Sequence, residues 1–332
     1  MDGKANRVPD GDGRAGRIAL VDVLRGVALV AMAIYHFTWD LEFFGYVAPG
    51  LTALGGWKLF ARAIASSFLL LAGVSLFLAH GERLRRYAFI KRLAQVAGAA
   101  LAITLATRFA FPDSFISFGI LHQIAFASVV GLAFMRLPFW ATLGAAAATI
   151  AAGQFVDSAA FDSRWLAWTG LVEHVPRSND FVPVLPWTGV VLAGIGLAQA
   201  VLTPRMRQGL AAIRVPAFLG PLSFAGRHSL AVYLVHQPVL LALVWLVAQI
   251  VTPTAATPEA RFVAACKNSC SAVRDDAFCD LYCACALDGL AREGKLEAIF
   301  TPTPDAEASA LMEKLSVDCT AETKNVLEGA GQ

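Results

Sequence analysis

Charged residues are scarce in this chain, and this scarcity decides the class of protein. Asp, Glu, Lys and Arg make up 16% of the 332 residues, whereas hydrophobic residues make up 57%, and the mean hydropathy is +0.59. Soluble domains carry about 25% charged residues, so the chain is too apolar for an ordinary soluble domain. The sequence also lacks a stripe of basic residues, and with a net charge of +2 it indicates no nucleic-acid partner.

Apolar segments of about the length of a membrane span recur along the chain. We predict an all-α polytopic membrane protein with about seven transmembrane helices, followed by a small disulfide-stapled α-helical C-terminal segment. The predicted domains are a cytoplasmic tail over 1–17, a transmembrane domain over 18–251 and a Cys-rich extracytoplasmic tail over 252–332. The predicted spans are residues 18–39, 62–80, 90–109, 116–135, 137–156, 183–203 and 228–251.

The distribution of Lys and Arg predicts the orientation of these spans. If the N-terminus is cytoplasmic, fourteen Lys and Arg residues face the cytoplasm, and five face the exterior before the C-terminal tail. Positive charges accumulate on the cytoplasmic side of membrane proteins. With seven spans, the C-terminus then lies outside.

Cysteine is absent until residue 266, and this absence separates the tail from the spans. Cys266 and Cys270 are four residues apart, as are Cys279 and Cys283, so each pair occupies one face of a helix. We expect disulfides between these pairs to staple a helical hairpin, and a further disulfide between Cys285 and Cys319 to close the remainder of the tail. Disulfides require an oxidising compartment, which supports an exterior C-terminus. Metal binding is the alternative, but the tail has no His and no CxxC pair, so we predict no metal site.

The first span carries a stripe of polar residues. Asp22, Arg25, His36 and Asp40 fall on roughly one helical face, and Arg25 and His36 are separated by about 16 Å along the helix axis. Ionisable groups inside a bilayer are costly and mark a functional site by default. For Asp22 and Arg25, the alternative is a buried ion pair that fixes the register of the helix.

Polar residues also interrupt three later spans, and each has a structural alternative. His122 and His236 are candidates for packing residues that form hydrogen bonds between helices. Trp187 is a candidate interfacial anchor, and Asp180 is a candidate cap for the sixth helix. The polar residues of the later spans are His122, Gln123, Asp180, Trp187, Arg227, His228, Tyr233, His236 and Gln237.

Several of these segments resemble one enzyme family. The chain is similar over about residues 17–250 to the bacterial branch of the heparan-alpha-glucosaminide N-acetyltransferase catalytic-domain family. The first helix also resembles that of the membrane acyltransferase-3 family, in which an Arg and a His recur at the same separation. The segments that carry the resemblance are LVDVLRGVALVAMAIYH (20–36), LLLAGVS (69–75), FGILH (118–122), PVLPW (183–187) and GRHSLAVYLVHQ (226–237).

The resemblance implies a membrane-embedded acyltransferase of the bacterial inner membrane. An acyl group, usually acetyl, would pass from cytoplasmic acetyl-CoA or another acyl-CoA to an amine or hydroxyl of an extracytoplasmic sugar or glycan. The implied partners are therefore acyl-CoA, a glycan acceptor and membrane lipid, and a homodimer stays open. A transporter that uses the same polar stripe as a proton relay is the alternative.

The resemblance also implies a role for each polar residue. His36 would accept a proton from the acceptor, and Asp40 would orient the His36 ring. A mechanism with an acyl-His intermediate is equally compatible with the sequence. The donor site would be formed by Asp22, Arg25, Arg227 and His228, with Arg25, Arg227 and His228 holding the donor phosphates. The substrate pocket would be formed by His122, Gln123, Asp180, Trp187, Tyr233, His236 and Gln237.

Overall fold

The structure is a computed structural model that describes residues 18–47, 50–251, 258–271, 273–300 and 306–329. These residues form twelve α-helices and no β-strand, which confirms the predicted all-α fold. The predicted cytoplasmic tail over 1–17 lies outside the described residues. The helices are α1 (Ala19–Phe43), α2 (Gly55–His80), α3 (Arg86–Ala110), α4 (Ile120–Phe134), α5 (Phe139–Phe155), α6 (Val184–Val201), α7 (Pro204–Ala212), α8 (Gly220–Arg227), α9 (Ser229–Ala248), α10 (Pro258–Cys270), α11 (Asp276–Arg292) and α12 (Ala306–Gly329).

Each of the seven predicted spans coincides with a helix, but the helices differ in length. Within the described residues, five are long and apolar enough to cross a membrane, namely α1, α2, α3, α6 and α9. Helices α4 and α5 have 15 and 17 residues, which corresponds to about 22 and 25 Å, less than the roughly 30 Å of a bilayer core. The chain is an integral membrane protein, and its described residues include five full-length apolar helices and the shorter apolar helix α4.

The segment between the sixth and seventh predicted spans is helical and sharply bent. Pro204–Ala212 and Ala217–Arg227 make an angle of 100°. Thr203 caps α7 by accepting the N–H of Met206 at 3.3 Å. Arg207 forms an ion pair with Glu82 and donates to the Leu78 carbonyl at 2.9 Å. These contacts hold α7 against the end of α2.

The chain divides into two compact units. One contains the described residues up to Met32 together with Ala61–His236, and the other contains Ala33–Phe60 together with the described residues from Gln237 onward. Helices α1 and α9 each contribute residues to both units.

Helix α6 is at the centre of the first unit, where it packs against α4 and α5. Glycine allows it to approach α2 closely, because a β-carbon on Gly73 would collide with the Val191 carbonyl and one on Gly194 with the Leu70 carbonyl. Small residues of this kind bring membrane helices together. The buried core is formed by Leu69, Ile120, Ala127, Ala146, Val182, Val191, Leu192 and Ile195.

Three disulfides staple the C-terminal helices of the second unit. Cys266–Cys283 and Cys270–Cys279 join α10 to α11, and Cys285–Cys319 joins α11 to α12. This arrangement confirms the predicted hairpin and its third bond. Asp275 caps α11 by accepting the N–H of Phe278 at 2.9 Å.

Candidate functional site

Asp22 and Arg25 form the ion pair that their spacing predicts. One guanidinium nitrogen of Arg25 lies 3.7 Å from the buried Asp22 carboxylate, and the other donates to the Ser75 hydroxyl at 2.5 Å. Arg25 is therefore fixed between α1 and α2. A quarter of its side chain remains exposed.

A close helix crossing places Arg227 and His228 in the same region of the first unit. A β-carbon on Gly26 would collide with the Leu222 carbonyl, and one on Gly226 with the Asp22 carbonyl. Helices α1 and α8 thus meet through residues four apart on each helix. Arg227 and His228 directly follow Gly226 and are exposed. The predicted donor-binding residues Arg227 and His228 therefore come directly after the point where α8 contacts Asp22 of α1.

His36 lies eleven residues after Arg25 on the same continuous helix. Its ring is half-buried and lies beside Tyr35, with 5.8 Å between ring centroids. The Tyr35 ring also contacts Trp57, and its hydroxyl donates to the Thr52 carbonyl at 3.4 Å. His36 is thus set against an aromatic cluster toward the opposite end of α1 from Arg25.

Asp40 bonds to another of the predicted site residues. One of its carboxyl oxygens accepts the Gln237 side-chain amide from α9 at 2.6 Å, and the other has no hydrogen-bond partner among the described residues. The carboxyl group is fully buried. The role of Asp40 in orienting the His36 ring stays a prediction.

His122, Asp180 and Tyr233 come together, as the pocket prediction requires. With Gly119 and Ile116, among others, they line a narrow cavity that is too small to hold a water molecule. The Asp180 carboxylate accepts the backbone N–H of Ile120 at 2.9 Å and the hydroxyl of Tyr233. Asp180 therefore caps α4 rather than the sixth predicted span.

Burial makes Asp180 unusually easy to protonate. Desolvation raises the pKa of this carboxyl group to about 6, while the bonds from Ile120 and Tyr233 oppose the rise. Its protonation therefore changes close to neutral pH. A group of this kind in a cavity is a candidate for acceptor binding or proton transfer.

The two other predicted histidines of this region are held in defined orientations. The single hydroxyl hydrogen of Thr104 goes to the Ile116 carbonyl at 2.7 Å, so Thr104 accepts from Nε2 of His122 at 3.2 Å. Nδ1 of His122 accepts the Gly119 N–H at 3.2 Å. Both nitrogens of His122 are thus used for packing. Nδ1 of His236 donates to the Tyr233 carbonyl at 2.6 Å, which makes Nε2 the basic nitrogen of the neutral ring.

Two further predicted pocket residues have packing contacts. The buried Gln123 side chain donates to the Thr188 hydroxyl at 2.8 Å and so joins α4 to α6. Trp187 packs against the hydrophobic core of the first unit. These contacts fix α4 and α6 within the core of the first unit.

The sequence analysis missed a His–Asp pair in the loop between α5 and α6. Asp162 accepts the backbone N–H groups of Glu173 and His174 at 2.8 and 3.0 Å, and its second oxygen lies 2.8 Å from Nδ1 of His174. The backbone bond from His174 is the main cause that lowers the pKa of Asp162, and the side-chain bond to Asp162 raises the pKa of His174. The two residues are twelve positions apart in an irregular loop, so no periodic spacing could have revealed the pair.

Comparison with known proteins identifies the family to which the chain belongs. The family model for the catalytic domain of heparan-alpha-glucosaminide N-acetyltransferase matches residues 17–238, about two thirds of the chain. The chain belongs to this family, and it is a membrane acetyltransferase. Neither the curated proteins nor the solved structures contain a match to it. The disulfide-stapled tail lies beyond the matched residues.

Proposed function

We propose that this protein transfers an acetyl group from acetyl-CoA in the cytoplasm to an amine or hydroxyl group of a sugar acceptor on the far side of a bacterial inner membrane. The observation that carries the proposal is the placement of Arg25 and His36 on one continuous helix of the family-matched region. Their separation of about 16 Å along the axis suits a donor whose charged nucleotide and reactive thioester lie at opposite ends of a long flexible arm.

Arg25 is suited to hold the phosphate groups of the donor. Asp22 and Ser75 fix the position of its guanidinium group, so little side-chain freedom is lost on binding. The exposed Arg227 and His228 add positive charge or hydrogen-bond donors nearby. Because Asp22 offsets part of the charge of Arg25, we propose that Asp22 positions the Arg25 side chain and does not itself bind the donor.

His36 is the proposed general base. As the acceptor nitrogen or oxygen bonds to the thioester carbonyl carbon, His36 takes the proton that this atom loses. When the tetrahedral intermediate collapses, the carbon–sulfur bond breaks and the CoA thiolate takes the proton back from the imidazolium. An acyl-His route replaces the first step by attack of the imidazole nitrogen, and it would release one equivalent of thiol before any acceptor is added.

We place the acceptor at the mouth of the cavity of the first unit, because the cavity itself is too small to hold a water molecule. In the proposed orientation, Asp180 and the N-terminal end of α4 lie on the exterior side. An ionisable carboxyl group and a tyrosine hydroxyl can hydrogen bond to the hydroxyl and amine groups of a sugar. Membership in an acetyltransferase family favours this enzyme over a proton-coupled transporter.

Thiol release from acetyl-CoA by the full chain in lipid nanodiscs tests the proposal. We expect His36→Ala to reduce acetyl transfer by roughly a hundredfold to ten-thousandfold with little change in the Kd for acetyl-CoA. Thr38→Ala is the matched control, because among the described residues the Thr38 hydroxyl donates to the Ile34 carbonyl of its own helix. A folded His36→Ala variant with full turnover would show that the assignment is wrong.

Arg25→Gln should raise the Kd for acetyl-CoA, whereas His36→Ala should change mainly the rate of transfer. Loss of the guanidinium group would also leave the buried Asp22 carboxylate without its ion-pair partner and reduce folded yield. The double variant Asp22→Asn/Arg25→Gln separates these effects. It should recover yield without recovering donor affinity.

A further inference from the structure

Two arginines converge on one aromatic ring at the edge of the Asp180 cavity. The guanidinium carbon of Arg108 lies 5.5 Å from the centroid of the Phe115 ring, and that of Arg164 lies 4.7 Å from the same centroid. Arg108 is in the last turn of α3, whereas Arg164 comes from the loop between α5 and α6. Tertiary structure therefore assembles this pair, which we call the Phe115 clamp.

The Phe115 clamp concentrates positive charge that the described residues do not neutralise. The two guanidinium carbons are at most about 10 Å apart, within the range over which charges interact at physiological salt. None of the ion pairs formed by the described residues involves either arginine. The acidic residues nearest to the clamp in sequence are Asp113, which is exposed and takes part in none of these ion pairs, and Asp162, which is occupied by His174 and two backbone N–H groups. Like charges held together in this way repel each other, and an oxyanion between them would relieve that repulsion.

The clamp is built into the wall of the cavity. Ile116, which follows Phe115, lines the cavity and is fixed to α3 by the hydroxyl groups of Thr104 and Thr107. Arg108 directly follows Thr107. The clamp is therefore about one residue, or roughly 4 Å of chain, from the cavity lining.

The same segment also presents Asp180. The backbone N–H of Asn179 donates to the Ser114 carbonyl at 2.9 Å, and that of Val182 donates to the Phe118 carbonyl at 3.0 Å. Residues 178–182 thus run alongside residues 114–118. One backbone arrangement therefore positions both Phe115 and Asp180.

We infer that the acceptor carries an oxyanion, such as a phosphate, sulfate or carboxylate group, which Arg108 and Arg164 bind at the edge of the Asp180 cavity. This inference rests on the proposed function, which puts this end of the first unit on the acceptor side. Guanidinium groups bind oxyanions through paired, charge-assisted hydrogen bonds, and the Phe115 ring holds both side chains in place through cation–π contacts. The oxyanion fixes the acceptor while its sugar hydroxyl or amine group lies at the mouth of the cavity.

Direct binding of matched sugars tests the inference independently of turnover. Full-length protein in phosphatidylcholine nanodiscs is titrated with glucosamine 6-phosphate and with glucosamine. We expect the phosphorylated sugar to bind at least about tenfold more tightly. In Arg108→Gln/Arg164→Gln, this preference should fall below about twofold. Arg177→Gln is the matched control, because Arg177 is an exposed arginine of the same loop that should leave the preference unchanged.

Phe115→Leu gives a second test that retains both positive charges. Loss of the ring should weaken binding of glucosamine 6-phosphate while leaving glucosamine binding unchanged. Melting temperatures confirm that each variant is folded. Equal binding of the two sugars to the wild type, absence of binding by the phosphorylated sugar, or a preference retained in the double arginine variant would overturn the inference.

Two further arms identify the source of the oxyanion. If the double arginine variant loses affinity for acetyl-CoA instead, the clamp belongs to the donor and the inference is wrong. If phosphatidylglycerol in the nanodiscs abolishes the preference for the phosphorylated sugar, the occupant is a lipid headgroup and the inference is again wrong. Thiol release from acetyl-CoA, measured in parallel, shows whether the proposed function itself fails.

Discussion

The buried carboxyl group of Asp180 makes the stability of the folded protein depend on pH. Its carboxyl group accepts bonds from the start of α4 and from Tyr233, and burial raises its pKa to about 6 from an ordinary value of 3.8. The folded state therefore binds this proton more tightly than the unfolded state does. The stability contributed by protonated Asp180 is complete below about pH 4 and is lost as the pH rises through 6.

We predict that Asp180→Asn removes this part of the pH dependence. The asparagine oxygen can still accept bonds from Ile120 and Tyr233, but it carries no charge. Between pH 4 and pH 7, the melting temperature of the wild type should therefore fall relative to that of Asp180→Asn. Differential scanning fluorimetry measures both curves, with Asp157→Asn, an exposed change in the same loop, as the control. Parallel curves for wild type and Asp180→Asn would contradict the assigned pKa.

At the scale of residues, the sequence could predict contacts between side chains of the same helix. The Asp22–Arg25 pair follows from helical spacing alone, since its partners are three residues apart. The Asp40–Gln237 bond joins residues almost two hundred positions apart, and the Phe115 clamp depends on a loop conformation. Neither has a periodic signal, so the sequence could not have revealed them. The cavity lies between these cases, because polar residues in apolar spans identified His122, Asp180 and Tyr233 without giving their contacts.

The crossing of α1 and α8 makes a prediction at the scale of helices. A β-carbon at Gly226 would collide with the backbone carbonyl of Asp22, which cannot move without displacing α1. Gly226→Ala should therefore lower the melting temperature and weaken acetyl-CoA binding. Gly144→Ala is the matched control, because its β-carbon would meet no atom within 4 Å and alanine favours the helix by up to about 1 kcal/mol. Thermal unfolding that ranks Gly226→Ala at or above Gly144→Ala would refute the close crossing.

The disulfides make a second prediction at this scale. Peptide mapping by mass spectrometry without reduction should find Cys266–Cys283, Cys270–Cys279 and Cys285–Cys319, and no free thiol. Replacing both Cys285 and Cys319 by Ser should destabilise the tail by about 2 to 5 kcal/mol. Protease resistance of the tail is the readout, and the melting of the membrane helices serves as the internal control. Alkylation of these six cysteines in native membranes would show that the bonds are absent.

Hydropathy predicted where helices form better than it predicted how long they are. The predicted positions of all seven spans are helical because apolar runs in a membrane must satisfy their backbone hydrogen bonds internally. The bend between α7 and α8 was not predicted, because no span was assigned between residues 203 and 228, although the two helices together are apolar enough to count as one span. It is ordered by capping at Thr203 and by contacts of Arg207 with α2.

At the scale of the molecule, the number of crossings decides on which side each end lies. The five long helices alone, or with α4 and α5, give an odd number of spans, which would place the C-terminus outside if the N-terminus is cytoplasmic. The bent α7–α8 segment would change this only if it crossed the membrane. We predict that reporter fusions place residues 10, 87 and 212 in the cytoplasm and residues 170 and 300 outside. An alkaline phosphatase fusion at residue 300 that stays inactive would reverse the orientation of the tail.

The central claim is that acetyl passes from a donor on one side of the membrane to an acceptor on the other. The most direct measurement uses the purified chain in sealed liposomes, with radiolabelled acetyl-CoA and a glucosamine-terminated oligosaccharide, neither of which crosses the bilayer. We predict labelled oligosaccharide when donor and acceptor are on opposite sides, little or none when both are outside, and loss of the signal in His36→Ala. Labelling that is as fast with both compounds outside as with the two separated would contradict the account.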